Sequence, residues 1–124
     1  MKSMEFPSEA FVENSISKYF IKLGYRLVKE IPHLDLNFIK QKEEWRIECK
    51  GRTQNNTVDF HTLIGQIIRR MDTPNSNYGV GLPDIKSYQT QISKVPDYAR
   101  SLLPLTVFWV KSDGEVITEK LTKS

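Results

Sequence analysis

Asp35, Glu48 and Lys50 are the residues of this chain whose types and spacing suit a chemical step. They fall within Leu34–Lys50, LDLNFIKQKEEWRIECK. Its first half alternates Leu34, Leu36 and Phe38 with Asp35 and Asn37. Its second half alternates Trp45, Ile47 and Cys49 with Arg46, Glu48 and Lys50. Period-two patterning of this kind predicts two half-buried strands joined by a short polar turn. Successive strand side chains point to opposite faces, so Glu48 and Lys50 share one. A hairpin of suitable register adds Asp35 to that face. Two carboxylates supply oxygen ligands for a hard divalent cation, and an ammonium supplies a point charge for a phosphate oxygen or an attacking water. The plainer reading of the same three residues is the charged face of an edge strand.

The elements on either side must position these groups. Ser8 is the expected N-cap of a first helix whose stripe is Val12, Ile16, Tyr19, Phe20 and Leu23, with Gly24 in the C′ role. Glu9 and Glu13 lie together on the flank of that stripe. A strand over Tyr25–Ile31 follows, ended by Pro32, and then the hairpin. Gly51–Thr57 is a polar loop in which Arg52, two residues past Lys50, is expected at the mouth of the site. Asp59 is the expected cap of a second helix, Phe60–Met71. Gly65 inside it costs about 1 kcal/mol relative to alanine, which suggests a close backbone approach or tight packing. Gln66 and Arg70 share one side of this helix, and Arg69 faces outward. Asn77–Leu82 reads as a strand, Asp84 as the next cap, and about Ile85–Leu103 as a third helix kinked or split by Pro96. Leu105–Val110 and Glu115–Glu119 are strands around a Ser112-Asp113-Gly114 turn, with a frayed Lys120–Ser124 tail. The order α-β-β-β-α-β-α-β-β predicts an α/β domain with a mixed sheet flanked by helices.

A chain of 124 residues fits a single domain, 1–124. Its net charge of +3 permits a polyanionic partner without demanding one. Cys49 is the only cysteine, which excludes an intrachain disulfide and a cysteine-rich zinc site. His33 and His61 form no metal-ligand spacing with it. The N-terminal stretch lacks a hydrophobic run, and no apolar run is long enough to span a bilayer. These features point to a reducing, cytoplasmic setting.

Glu13 on a helix, Gly24-Tyr25 at its end, Asp35, and Glu48-Cys49-Lys50 on a strand together resemble the PD-(D/E)xK nuclease superfamily. The N-terminal part, roughly Phe6 to Arg52, looks most like the archaeal Holliday junction resolvases. Leu34 stands where the motif's name has proline. The resemblance implies a restriction-endonuclease-like fold and metal-dependent hydrolysis of DNA. Asp35, Glu48 and the Cys49 backbone carbonyl would ligate Mg²⁺ or Mn²⁺, and Glu13 would bind a second ion or a metal-bound water. Glu9, on the same side of the helix, could serve instead. Lys50 would orient the water and stabilise the phosphate charge, with Gln66 in support. Arg52, Arg69, Arg70 and Lys42 would contact backbone phosphates. DNA and a second copy of the chain, as a homodimer, are the expected partners. The rival expectation is a nuclease-like fold that only binds DNA or a protein.

Overall fold

In the computed structural model, which describes residues 4–122, the alternation along Leu34–Lys50 decides which side of the sheet each helix covers. Six strands form one sheet in chain order: β1 (Arg26–Val28), β2 (Leu36–Lys40), β3 (Glu43–Cys49), β4 (Asn77–Pro83), β5 (Leu105–Val110) and β6 (Val116–Lys120). The β1–β2, β2–β3 and β5–β6 pairs are antiparallel, and β3–β4 and β4–β5 are parallel. Parallel neighbours need a crossover. Helix α2 (Asn56–Arg69) makes the first, and α3 (Lys86–Ser93) with α4 (Asp97–Leu102) makes the second. Helix α1 (Glu9–Lys22) precedes the sheet. This is the mixed α/β architecture, a six-stranded mixed sheet flanked by helices, that the element order predicts.

Each sheet face has its own core. Val12, Ile16 and Phe20 of α1 pack on Phe38, Ile47, Cys49 and Phe108. Phe20 stacks on Phe38 with ring centroids 4.5 Å apart. On the other face Phe60, Leu63 and Ile67 of α2 pack with Tyr78, Val80, Tyr88 and Val107. Ile47 and Cys49 therefore serve the α1 core, and Glu48 is turned toward α2, as the period-two reading requires.

Gly51 sets where α1 begins relative to the end of β3. A Cβ there would lie 2.1 Å from the Glu9 backbone nitrogen. The Arg52 N–H donates to the Pro7 carbonyl at 2.8 Å, and the Tyr88 hydroxyl donates to the Gly51 carbonyl at 2.7 Å. The first turn of α1, with Glu9, is thereby pressed against the residue after Lys50.

Several boundaries differ from the sequence expectation. β1 has three residues rather than seven, because only Arg26–Val28 find partners on β2. α2 starts earlier, capped by Asn55, whose side chain accepts from the Val58 N–H at 3.1 Å; Asp59 sits in its first turn and accepts from the Thr53 hydroxyl. α2 ends at Arg69 with Arg70 as C-cap, short of Met71. Pro96 splits the third helix. Asp84 does not cap α3; its carboxylate accepts from the Gln89 side chain at 2.7 Å. The Gly65 position has open space around it, so no close approach explains that glycine. The C-terminal stretch is docked: Leu121 is buried and its N–H donates to the Leu105 carbonyl at 2.8 Å. Lys123 and Ser124 of the expected tail lie outside the described residues.

The two glycines give opposite expectations under denaturant titration. Gly51→Ala should cost on the order of 3 kcal/mol, because backbone must move to admit the methyl. Gly65→Ala should stabilise by about 0.5–1 kcal/mol, the helix-interior difference between the residues.

Candidate functional site

The site begins where the β2–β3 ladder stops. Pairing ends at Leu36↔Ile47, so no β2 carbonyl is available for the next inward N–H, that of Cys49. The Asp35 side chain takes its place, its Oδ2 accepting from the Cys49 N–H at 2.9 Å. Asp35 is otherwise exposed. It follows an exposed loop in which His33 adopts a left-handed backbone, φ 66°.

Glu48 is the neighbouring carboxylate and is only 1% exposed. Its Oε1 lies 3.2 Å from Arg70 Nε. Burial, then a hydrogen bond to Asp35 and the charge of Asp35, push its carboxyl up to about 8, against a smaller lowering by Arg70. At neutral pH Glu48 therefore retains its proton. With both carboxyls ionised, buried Glu48 and exposed Asp35 would have one arginine between them, and a hard divalent cation would supply the missing positive charge. The donor set fits Mg²⁺ or Mn²⁺ in this respect.

Lys50 is half-buried just beyond β3. Its N–H donates to the Gly81 carbonyl at 3.0 Å, continuing the β3–β4 ladder, so the alternation that orients Glu48 also orients Lys50. The buried Cys49 thiol is held well above its ordinary range by burial, and further by Asp35, Glu13, Glu9 and Glu48 in decreasing order. One buried sulfur thus feels all four carboxylates, which brings the flank of α1 into the neighbourhood of the pair. Glu9 and Glu13 are both half-buried there. Among the described residues, however, no three His, Cys, Asp or Glu side chains converge closely enough to hold a metal ion. The pair would rely on the Cys49 carbonyl and waters to complete a shell.

The other sequence-derived positions divide into near and far. Gln66 is half-buried on α2, one turn before Arg70 and on the same side. Arg52 and Arg69 are exposed, on the loop after β3 and the last turn of α2. Arg70, expected at a phosphate from the Gln66 side of α2, is drawn onto Glu48. Lys42 lies in the β2–β3 turn, at the opposite end of β3 and roughly 25 Å along the strand from Lys50. It does not join the others. Arg46 is the neighbour whose structural part goes beyond its place in a basic cluster. Its Nη1 reaches Asp72 Oδ1 at 2.6 Å and the Arg70 carbonyl at 2.9 Å. The available signal was its place two residues before Glu48, on the same strand face.

No protein-family model matches the chain, and neither does any curated protein. Two solved structures resemble it. One is a XisH family protein from Nostoc punctiforme, with TM-score 0.59 and 15% identity over 86% of this chain and 95% of that one. The other is an FdxN element excision controlling factor protein from Anabaena variabilis, with TM-score 0.59 and 14% identity over 87% and 96%. At such identities the likeness is one of fold. No helix among the described residues is long and apolar enough to cross a membrane.

The raised Glu48 carboxyl has a consequence for stability. The folded chain holds this proton up to about pH 8, while the unfolded chain releases it near the ordinary 4.5. Its contribution is therefore fully present below pH 4.5 and is lost as pH rises through 8. Between pH 5.5 and 8.5 the wild type should lose on the order of a few kcal/mol more than Glu48→Gln in metal-free denaturant titrations. Equal losses in the two proteins would remove Glu48 as the cause.

Proposed function

We propose that this chain is a metal-dependent deoxyribonuclease that hydrolyses phosphodiester bonds, in the manner of the junction resolvases that its N-terminal part resembles. The observation that carries the reading is the Asp35–Glu48 pair, fixed at the end of β3 by the Cys49 N–H and followed by Lys50. Asp35, Glu48 and the Cys49 carbonyl would hold Mg²⁺ or Mn²⁺. Such an ion would supply Lewis-acid polarisation of a phosphate oxygen and a lowered pKa for an attacking water.

The chain's own residues do the rest. Lys50 stabilises the negative charge that grows on the scissile phosphate and helps to hold the attacking water. Glu13 or Glu9, from the first turns of α1, steadies water on the far side of the pair. Gln66 orients a phosphate oxygen from α2. Arg52 and Arg69, both exposed, meet neighbouring phosphates and bind without regard to base sequence. A second copy of the chain, related by two-fold symmetry, would bring a second site to the opposing strand. One fold neighbour is named as a factor controlling excision of the FdxN element, which accords with a role at DNA.

One observation favours a second reading. Arg70 already gives Glu48 a positive partner, as would suit a site that binds DNA without cutting it. Cleavage of labelled four-way-junction, linear duplex and single-stranded DNA, with Mg²⁺, Mn²⁺ or EDTA, separates the two. Metal-dependent cutting of the junction is expected, with Glu48→Ala and Lys50→Ala slowing it by on the order of 10²–10³-fold. Retention of an intact junction would favour the binding module. Neither cutting nor retention of any DNA would overturn the nucleic-acid reading.

A further inference from the structure

Arg70 reaches back from the C-cap of α2 to the sheet with two arms. Its Nε stands 3.2 Å from Glu48 Oε1, and its Nη2 donates to the His33 carbonyl at 3.0 Å. The root of the residue is fixed as well, since Arg46 Nη1 donates to the Arg70 carbonyl at 2.9 Å. Arg46 is in turn tied to Asp72 at 2.6 Å and to Glu44 at 3.2 Å. One guanidinium thus joins the two segments that carry the carboxylates. One is β3 with Glu48; the other is the loop in which His33 precedes Asp35 by two residues. The bond from the Cys49 N–H to Asp35 closes the ring at 2.9 Å.

A pair built for charge neutralisation would look different. Charge-assisted N–H···O contacts run about 2.7–2.9 Å, and arginine meets carboxylates most strongly with two parallel bonds. Here a single, longer contact is made, and the other arm goes to a neutral backbone carbonyl. One arginine also offsets only one of two carboxylates when both are ionised. The geometry therefore suits holding better than neutralising.

We propose that Arg70 is a positioning residue, a strap that keeps Glu48 and the His33–Asp35 loop in the mutual arrangement a divalent cation requires. This rests on the metal-site reading above, and the strap itself touches no reacting atom. Removing it frees the loop, so the Asp35 carboxylate leaves the Cys49 N–H for part of the time. The cation site is then assembled only in a fraction of molecules, and apparent affinity falls by that fraction.

The test reads position without metal first, by amide hydrogen exchange in EDTA on the full chain. The Cys49 amide reports the bond to Asp35; the Lys50 amide, bonded to Gly81 in the β3–β4 ladder, is the internal reference. Arg70→Ala should speed exchange at Cys49 relative to Lys50 by roughly tenfold, as a local opening rather than a global one. Arg70→Lys keeps the charge and the fold but has no second arm, and should fall between the two. Calorimetric titration with Mn²⁺ should then show roughly 10–100-fold weaker binding in Arg70→Ala, the usual cost of losing a residue that orients a ligand. An unchanged Cys49-to-Lys50 ratio in Arg70→Ala, or Mn²⁺ affinity equal to or above wild type, would overturn the strap. A changed ratio in a protein whose wild type takes no Mn²⁺ would keep the strap and overturn the metal reading instead.

Discussion

The bond from the Cys49 N–H to the Asp35 carboxylate is the contact on which the rest of the site depends. It forms because the β2 pairing stops at Leu36, two residues short of the position opposite Cys49, and a buried amide left without an acceptor is costly. The carboxylate that fills the gap is thereby pinned beside Glu48, which the strand's alternation turns into the space under α2. Two acids are held together, Glu48 shut off from water and Asp35 exposed beside it. The proton that Glu48 retains and the arm of Arg70 are the responses available without a metal.

The fold serves this placement from both faces. On one side, α1 is tied to the end of β3 by its backbone contacts at Gly51, which brings Glu9 and Glu13 within electrostatic reach of Cys49. On the other, α2 lays Phe60, Leu63 and Ile67 over the sheet and delivers Gln66 and Arg70 to the polar edge of the same face. The aromatic packing of Phe20 on Phe38 fixes the hairpin from beneath. Each helix is held by apolar burial, so the polar groups can be arranged for charge rather than for stability.

Much of this was legible in the residues. Alternation over Leu36–Lys40 and Glu43–Cys49 has one parity, and that parity alone separates Ile47 and Cys49 from Glu48. The crossover helices followed from runs of helical period between strands. What was not legible depended on how distant segments meet. Period 3.6 tells which side of α2 carries Arg70, but not that a C-cap residue bends back to reach β3 and His33. Asn55 and Asp59 are both good caps, and only the Asn55 bond to Val58 chooses between them. Leu121 looked like part of a frayed end because its partner, Leu105, lies far back in the chain. The pairing of Asp35 with the Cys49 N–H needed the register of the hairpin, which a pattern of hydrophobicity does not supply.

The most direct measurement is calorimetric titration of Mn²⁺ into the metal-free chain near pH 7.5, in buffers of different ionisation heat, beside Asp35→Asn and Glu48→Gln. If the two carboxylates form a cation site, the wild type binds Mn²⁺ and releases a proton as it does so, because ligation requires the ionised pair. Both substitutions then abolish the binding and the proton release together. Binding that persists in both variants, or a wild type that takes no Mn²⁺, would contradict the account.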